Sequence, residues 1–465
     1  MTRTGRFTGR VRRTLRREAH DLLHAGPPTV NLLRPIGPEV PTDAHVQQVL
    51  DLCMRVGEVL LSSGESSEET STTMLRLAAA CGLSTVDVDI TFTSLMMCCH
   101  RGMVAVPMTT MRLVRHRTTD LTRLAQVTRI VQQVEMGRFD VKAAATALSE
   151  AIAAPHPYPR WVATVGWAGQ AAALALLLGG APITALTAFA VTAFIDRLGR
   201  RLSLWGLPSF YQQVVGAVVA TVSTLALFAV DVLPPGTRPS LVIAASITVL
   251  LSGLSVVGSV KDAISSYYVT SAGRIVEVAL LSAGLLTGVV LGLKLGVGFG
   301  VELAVAEKLP TTSTPFALAL FCAATAAGAF ALAGYAPVRS LLAGGLAGGA
   351  GWTAYWVLTQ VAVLGPVVST GIAATVVGVA TGLSRRGGGV QPHVITMAGI
   401  IPLLPGLTAY RGFYQLAVEG VTDGLVTVTL ALAIGLALAA GVTLGDFVAR
   451  PRQPVSEPAV GAEPT

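Results

Sequence analysis

The chain has 465 residues, of which 52% are hydrophobic and 13% charged, with a net charge of +7. Soluble globular chains carry about 25% charged residues, so an ordinary soluble enzyme is excluded. The charge is also unevenly spread: residues 1–160 hold 34 charged side chains and the remaining 305 residues hold 25.

Residues 1–42 open with seven arginines in the first 25 positions, against Glu18 and Asp21, and continue with a run of prolines. Without apolar periodicity this stretch reads as a flexible arm. Its charge suits an anionic lipid surface rather than nucleic acid, and it predicts a cytoplasmic N-terminus. No apolar core follows the arginines, so the arm does not read as a secretory signal peptide.

Residues 43–158 are predicted to form a small cytoplasmic α+β domain. Val46, Val49, Leu50, Cys53, Val56 and Leu60 recur at helical spacing over 43–62, and Gly64 stops that helix. Ser66 and Glu69 are spaced as a capping box for a second helix that Gly82 ends. Val86, Val88, Ile90 and Phe92 then alternate with polar residues as a half-buried strand does, a second strand is expected within 103–114, and two helices follow over 119–137 and 140–154. The five cysteines, Cys53, Cys81, Cys98, Cys99 and Cys322, are odd in number and lack CxxC spacing, so reduced thiols are expected. Cys98, Cys99 and His100 read as a strand end, because three adjacent residues do not close a tetrahedral metal site. The serines at 62, 63, 66 and 67 have no histidine placed to activate them. No catalytic residue, metal or cofactor is expected, and the domain reads as a gate over a membrane part.

Pro155, Pro157 and Pro159 mark a boundary, and the composition then changes. A hydrocarbon core of about 30 Å needs about 20 apolar residues at about 1.5 Å rise each. Backbone amides cannot go unpaired in lipid, so such segments must be helical. The predicted spans are 161–179, 182–196, 209–230, 241–260, 274–294, 315–334, 338–360, 367–384, 393–409 and 424–447. With the N-terminus inside, ten Lys and Arg fall on connections assigned to the cytoplasm and four (Arg238, Lys294, Lys308, Arg411) on the other side. That bias obeys the positive-inside rule and places both termini in the cytoplasm.

The segment VIAASITVLLSGL from Val242 resembles VITMAGIIPLLPGL from Val394, and each is followed by a charged residue, a glycine and a last apolar helix. The repeat unit is five spans, 159–310 and then 311–449, with a flexible tail over 450–465. An odd unit repeats in inverted orientation, and such repeats carry interrupted helices and a substrate site between the halves. The fold class is therefore mainly α: a polytopic membrane protein of about ten transmembrane helices in two inverted five-helix repeats, preceded by the α+β domain. Glycines 284, 288, 292, 296 and 300 keep four-residue spacing in the fifth span, which suits close helix packing.

Ionisable groups near the spans are the candidates for substrate or proton handling, since a charge at a helix centre costs about 2.5–3.5 kcal/mol on insertion scales. They are Asp262 with Lys261, Arg274 with Glu277 three residues on, and Arg411 beside Tyr410. Ser252-Gly253 and Pro405-Gly406 are the candidate helix breaks. Asp196 and Asp446 are secondary candidates and read as caps or surface charges.

Leu60-Leu61-Ser62-Ser63-Gly64, Met74-Leu75-Arg76-Leu77 and the run Val86 to Ser94, with Lys261-Asp262, Gly273-Arg274, Pro405-Gly406 and Tyr410-Arg411-Gly412, resemble the threonine/serine exporters of bacterial membranes. Two features depart from that pattern: Ser252-Gly253 stands where the family has Pro-Gly, and Glu65, Glu68 and Glu69 fall outside it. The resemblance implies a multi-pass cell-membrane protein that exports small amino acids, threonine and serine, by proton antiport. Its partners would be these amino acids, protons and the lipid bilayer. Nucleic acid is not among them, and assembly as a homo-oligomer is left open. The alternatives are export of another small metabolite, such as the dicarboxylate succinate, and a membrane-anchored regulatory protein acting through its cytoplasmic domain.

Overall fold

The computed structural model describes residues 42–101, 106–114, 120–230, 239–250, 253–298, 315–387, 390–416 and 421–449. The Arg-rich arm, the C-terminal tail, Ser252, Gly300, Arg238 and Lys308 lie outside the described residues.

The N-terminal unit is built as its patterning dictates. Helix α1 (Asp43–Ser62) and helix α2 (Ser67–Ala80) end at Gly64 and Gly82, whose φ angles of +93° and +87° need a residue without Cβ. The Glu69 backbone N–H donates to Ser66 Oγ at 3.4 Å, which caps α2. Three strands follow, β1 (Val86–Thr91), β2 (Ser94–Cys99) and β3 (Met108–Leu113), antiparallel in the order β1-β2-β3 with Val86 opposite Cys99 and Cys99 opposite Met108. The sequence reading had no strand at 94–99. Leu95, Met96, Met97, Cys98 and Cys99 are apolar on both faces, so the alternation that marks β1 is absent, although Leu95, Met97 and Cys99 point inward. Helices α3 (Leu121–Glu135) and α4 (Val141–Ala153), capped by Asp120 and Asp140, complete the unit. Its core joins Val49, Cys53 and Val56 of α1 to Met74, Leu95 and Met97.

The described residues after these are helical: α5 (Arg160–Leu177), α6 (Pro182–Leu204), α7 (Ser209–Ala229), α8 (Pro239–Thr248), α9 (Gly253–Ile264), α10 (Tyr268–Gly298), α11 (Phe316–Ala333), α12 (Val338–Gln360), α13 (Pro366–Gly387), α14 (Pro392–Gly399), α15 (Gly406–Tyr414) and α16 (Val421–Ala449). Among the described residues α7, α10, α11, α13 and α16 are long and apolar enough to cross a bilayer. Two of the predicted spans are broken. The fourth is α8 followed by α9, and the ninth is α14, a tight turn at Ile401–Leu403, and α15.

Packing follows matched pairs. Helix α5 lies on α6 as α11 lies on α12, α7 on α10 as α13 on α16, and α9 on α10 as α15 on α16, while α5 and α11 join the two groups. The glycine spacing in α10 serves the α7 contact: a Cβ at Gly288 would overlap the Val214 carbonyl oxygen, and one at Gly284 would lie 2.9 Å from that of Phe210. Close backbone approach is what small residues give membrane helices.

Candidate functional site

The loop between α1 and α2 enters the end of the bundle as a row of acids. The Ser67 backbone N–H donates to Asp262 Oδ1 at 2.9 Å. Ser67 is the first residue of α2, so a side chain from α9 satisfies one of the N–H groups a helix start leaves open, and the helix dipole favours its negative charge. Arg274 of α10 meets the other oxygen, Nη1 to Oδ2, at 3.0 Å. Asp262 is 0% exposed and Arg274 4%, so each depends on the other for charge compensation. Gly258 on α9 makes room for the guanidinium: a Cβ there would lie 2.8 Å from Nη1.

Three further ion pairs flank this one. His393 at the start of α14 meets Glu65, Nδ1 to Oε2, at 2.8 Å. Burial alone would raise the Glu65 carboxyl, but His393, Lys261 and Arg385 together hold it at about 2, below the ordinary 4.5. Arg385 near the end of α13 spans two carboxylates, Glu69 of α2 at 3.2 Å and Asp446 of α16 at 3.1 Å. Ser265 Oγ donates to Glu68.

The β1–β2 turn docks alongside. Phe92 takes a φ of +51°, a conformation disfavoured for a bulky side chain, and its N–H donates to Thr270 Oγ1 at 3.0 Å. Thr270 Oγ1 in turn donates to the Ile90 carbonyl at 3.0 Å, and the Phe92 ring occupies the space a Cβ on Gly273 would need. A second contact lies at α3: the Leu121 N–H donates to the Gly334 carbonyl at 2.9 Å, and His156, paired to Asp120 at 3.0 Å, stacks on Tyr335 with ring centroids 4.4 Å apart.

Of the sequence candidates, Asp262 and Arg274 are thus brought into one pair across the α9–α10 turn. Lys261 is half-buried near Glu65, and Glu277 is half-buried one turn along α10 from Arg274. Asp446 was read as a cap or surface charge; it is 8% exposed and bound by Arg385. Asp196 on α6 accepts from Thr164 Oγ1 at 2.7 Å and pairs with Arg200 at 2.7 Å. Pro405 and Gly406 stand where the chain breaks before α15, with Arg411 exposed further along that helix and Tyr410 on its backbone. The two breaks are neighbours: Leu254, Val257 and Val260 of α9 share an apolar cluster with Ile400, Leu403 and Leu404. Sequence reasoning missed Glu65, Glu69, Arg385 and His393 as partners, although the three acids after Gly64 were the signal.

Long apolar helices place the chain in a membrane. Interrupted helices occurring in a pair are how secondary transporters are built. Residues 51–296 match the family described as "Putative threonine/serine exporter", and residues 319–448 match "Threonine/Serine exporter, ThrE". A "Probable threonine/serine exporter" of Mycobacterium tuberculosis is 39% identical over 420 residues, 88% of this chain and 78% of the relative. A "Threonine/serine exporter" of Corynebacterium glutamicum is 35% identical over 444 residues, 92% of this chain and 88% of the relative. The chain belongs to the threonine/serine exporter family. No solved structure matches it.

Proposed function

We propose that the protein exports threonine and serine from the cytoplasm by proton antiport, through ten membrane passes arranged as two inverted five-helix repeats with both termini inside. The observation that carries this reading is the pair of interrupted helices, α8/α9 and α14/α15, whose breaks meet in one cluster. The matched packing of α5–α10 and α11–α16 supports the repeat. Among the described residues, the bundle ends that touch the N-terminal unit belong on one face under this topology: the end of α9, the start of α10, the α11–α12 turn, the end of α13, the start of α14 and the end of α16. Residues 43–158 are then a cytoplasmic domain seated on the inner mouth.

Asp262 is the proton-coupled carboxylate in this scheme. In its charged form it holds both Arg274 and the start of α2; protonation removes the negative charge that Arg274 needs and weakens the hydrogen bond to Ser67. Glu277, one turn from Arg274, is the reserve carboxylate. Pro405 lacks an N–H and Gly406 tolerates unusual dihedrals, which suits an interrupted helix in the second half of the bundle.

The test is counterflow in proteoliposomes of the full chain with labelled threonine, serine and succinate, with and without a pH gradient. Gradient-stimulated uptake of threonine and serine but not succinate is the expected result. Uptake of none of the three overturns the transporter reading, and succinate alone redirects it to dicarboxylates.

A further inference from the structure

A half-open cavity of about 340 Å³ lies between α5, α6, α7 and the broken end of α8, away from the acidic loop. Its inner wall is unusual for a membrane bundle. Thr192 of α6 and Ser246 of α8 are among its lining residues, 2% and 0% exposed, and neither hydroxyl has a hydrogen-bond partner. Gln213 of α7 donates through Nε2 to the Leu250 carbonyl at 3.1 Å, just before the break, and this fixes the amide so that its Oε1 is left without a partner. Buried polar atoms in folded proteins are nearly always satisfied, and three orphans around one cavity call for a polar occupant. A threonine or serine hydroxyl donates one hydrogen bond and accepts others, which suits two hydroxyls and one carboxamide oxygen.

The mouth of the same cavity holds Asp196 and Arg200, an ion pair at 2.7 Å one helical turn apart. An amino acid offers the matching charges, an ammonium for the carboxylate and a carboxylate for the guanidinium. A dicarboxylate would bring a like charge to Asp196. Trp167 supplies an apolar wall. Pockets of a few hundred Å³ with a few convergent polar groups are how small-molecule sites are built.

We propose that this cavity binds the transported hydroxy amino acid, with Asp196 and Arg200 on its charged end and Thr192, Ser246 and Gln213 reading the side-chain hydroxyl. The inference rests on the exporter reading and adds to it a selectivity filter in the first half of the bundle. A site built to hydrogen-bond a hydroxyl rejects the analogue lacking it, because its own polar groups are then left unpaired.

The test is binding of labelled L-threonine to the purified full chain, competed by L-valine and L-alanine, in the unaltered protein and in Thr192→Val, Ser246→Ala and Thr192→Ser. The unaltered protein should prefer threonine to valine, and Thr192→Val and Ser246→Ala should each cut that preference about tenfold while alanine still binds. Thr192→Ser keeps the hydroxyl and should keep the preference, which separates hydroxyl reading from damage to the fold. An unchanged threonine-to-valine ratio in Thr192→Val and Ser246→Ala, or a ratio lost equally in Thr192→Ser, overturns the proposal. Counterflow by the unaltered protein with an unchanged ratio in the variants sinks this site and leaves the exporter reading standing. Threonine binding that follows the variants as expected, without counterflow, sinks the exporter reading and leaves the site.

Discussion

Ser67 and Asp262, 195 residues apart in the chain, are joined by a 2.9 Å hydrogen bond that closes the start of α2 with a carboxylate from α9. The same carboxylate neutralises Arg274. Removing that charge therefore acts on two contacts at once, one between the N-terminal unit and the bundle and one within the bundle.

Asp262→Asn keeps an oxygen for the Ser67 N–H but removes the charge that Arg274 needs. Losing one partner of a buried ion pair costs about 3–5 kcal/mol. The single variant should lower the melting temperature, and Asp262→Asn with Arg274→Gln should recover much of it. Neither should restore gradient-driven threonine export in proteoliposomes; full export by the double variant would remove Asp262 from the coupling scheme.

Glu65 gives the seam a pH dependence of definite sign. Its carboxyl is held below the ordinary 4.5, at about 2, so its contribution is complete above the ordinary value and is lost as pH falls through the lower one. Melting temperature should decline across this window, and Glu65→Gln should flatten that part of the profile while lowering stability near neutrality. A profile identical to that of the unaltered protein would show that the His393 contact contributes nothing.

Arg385→Lys preserves a positive charge without the fork that reaches Glu69 and Asp446 together. Hydrogen exchange at residues 64–69 should accelerate in Arg385→Lys and more so in Arg385→Met. Equal protection in all three proteins would place the holding force elsewhere in the docking surface.

Gly288→Ala drives a methyl group into the Val214 carbonyl and must part α7 from α10. Overpacking of this kind costs about 1–3 kcal/mol. Gly328→Ala in α11 is the matched control, because its nearest neighbour outside the helix lies 3.7 Å from the new Cβ. Removing a helical glycine there should be neutral or stabilising by about 0.5–1 kcal/mol. Thermal unfolding in detergent reads both, and equal melting temperatures would refute the packing argument.

Periodicity and punctuation made much of the architecture legible. Helix α1 runs over the residues its spacing predicts, Ser66 caps α2, and each expected apolar segment contains a helix. The doublet Pro405-Gly406 pointed to the break before α15 because proline and glycine act locally, and Gly253 is the first residue of α9. Strand β2 was not legible, since Leu95 to Cys99 is apolar on both faces. The ionic seam was hidden for another reason. Glu69 and Arg385 are 316 residues apart, and no local pattern reports which distant charge an acid meets. The sequence leaves Arg274 open to either Asp262 or its helical neighbour Glu277, and folding the α9–α10 turn delivers it to Asp262. The orphaned hydroxyls of Thr192 and Ser246 read as ordinary small residues of apolar helices until four helices enclose them.

Helix α10 has 31 residues, about 46 Å at about 1.5 Å per residue, against a hydrocarbon thickness of about 30 Å. In a bilayer of that thickness an upright α10 would carry its surplus beyond the hydrocarbon, and the Phe92 turn is fastened to its first turns through Thr270 and Gly273. A continuous helix transmits tilt along its axis. Any lean of α10 against α7, deep in the bilayer, would therefore arrive at the β-sheet as a sideways stroke, making the N-terminal unit a follower riding on the membrane helix.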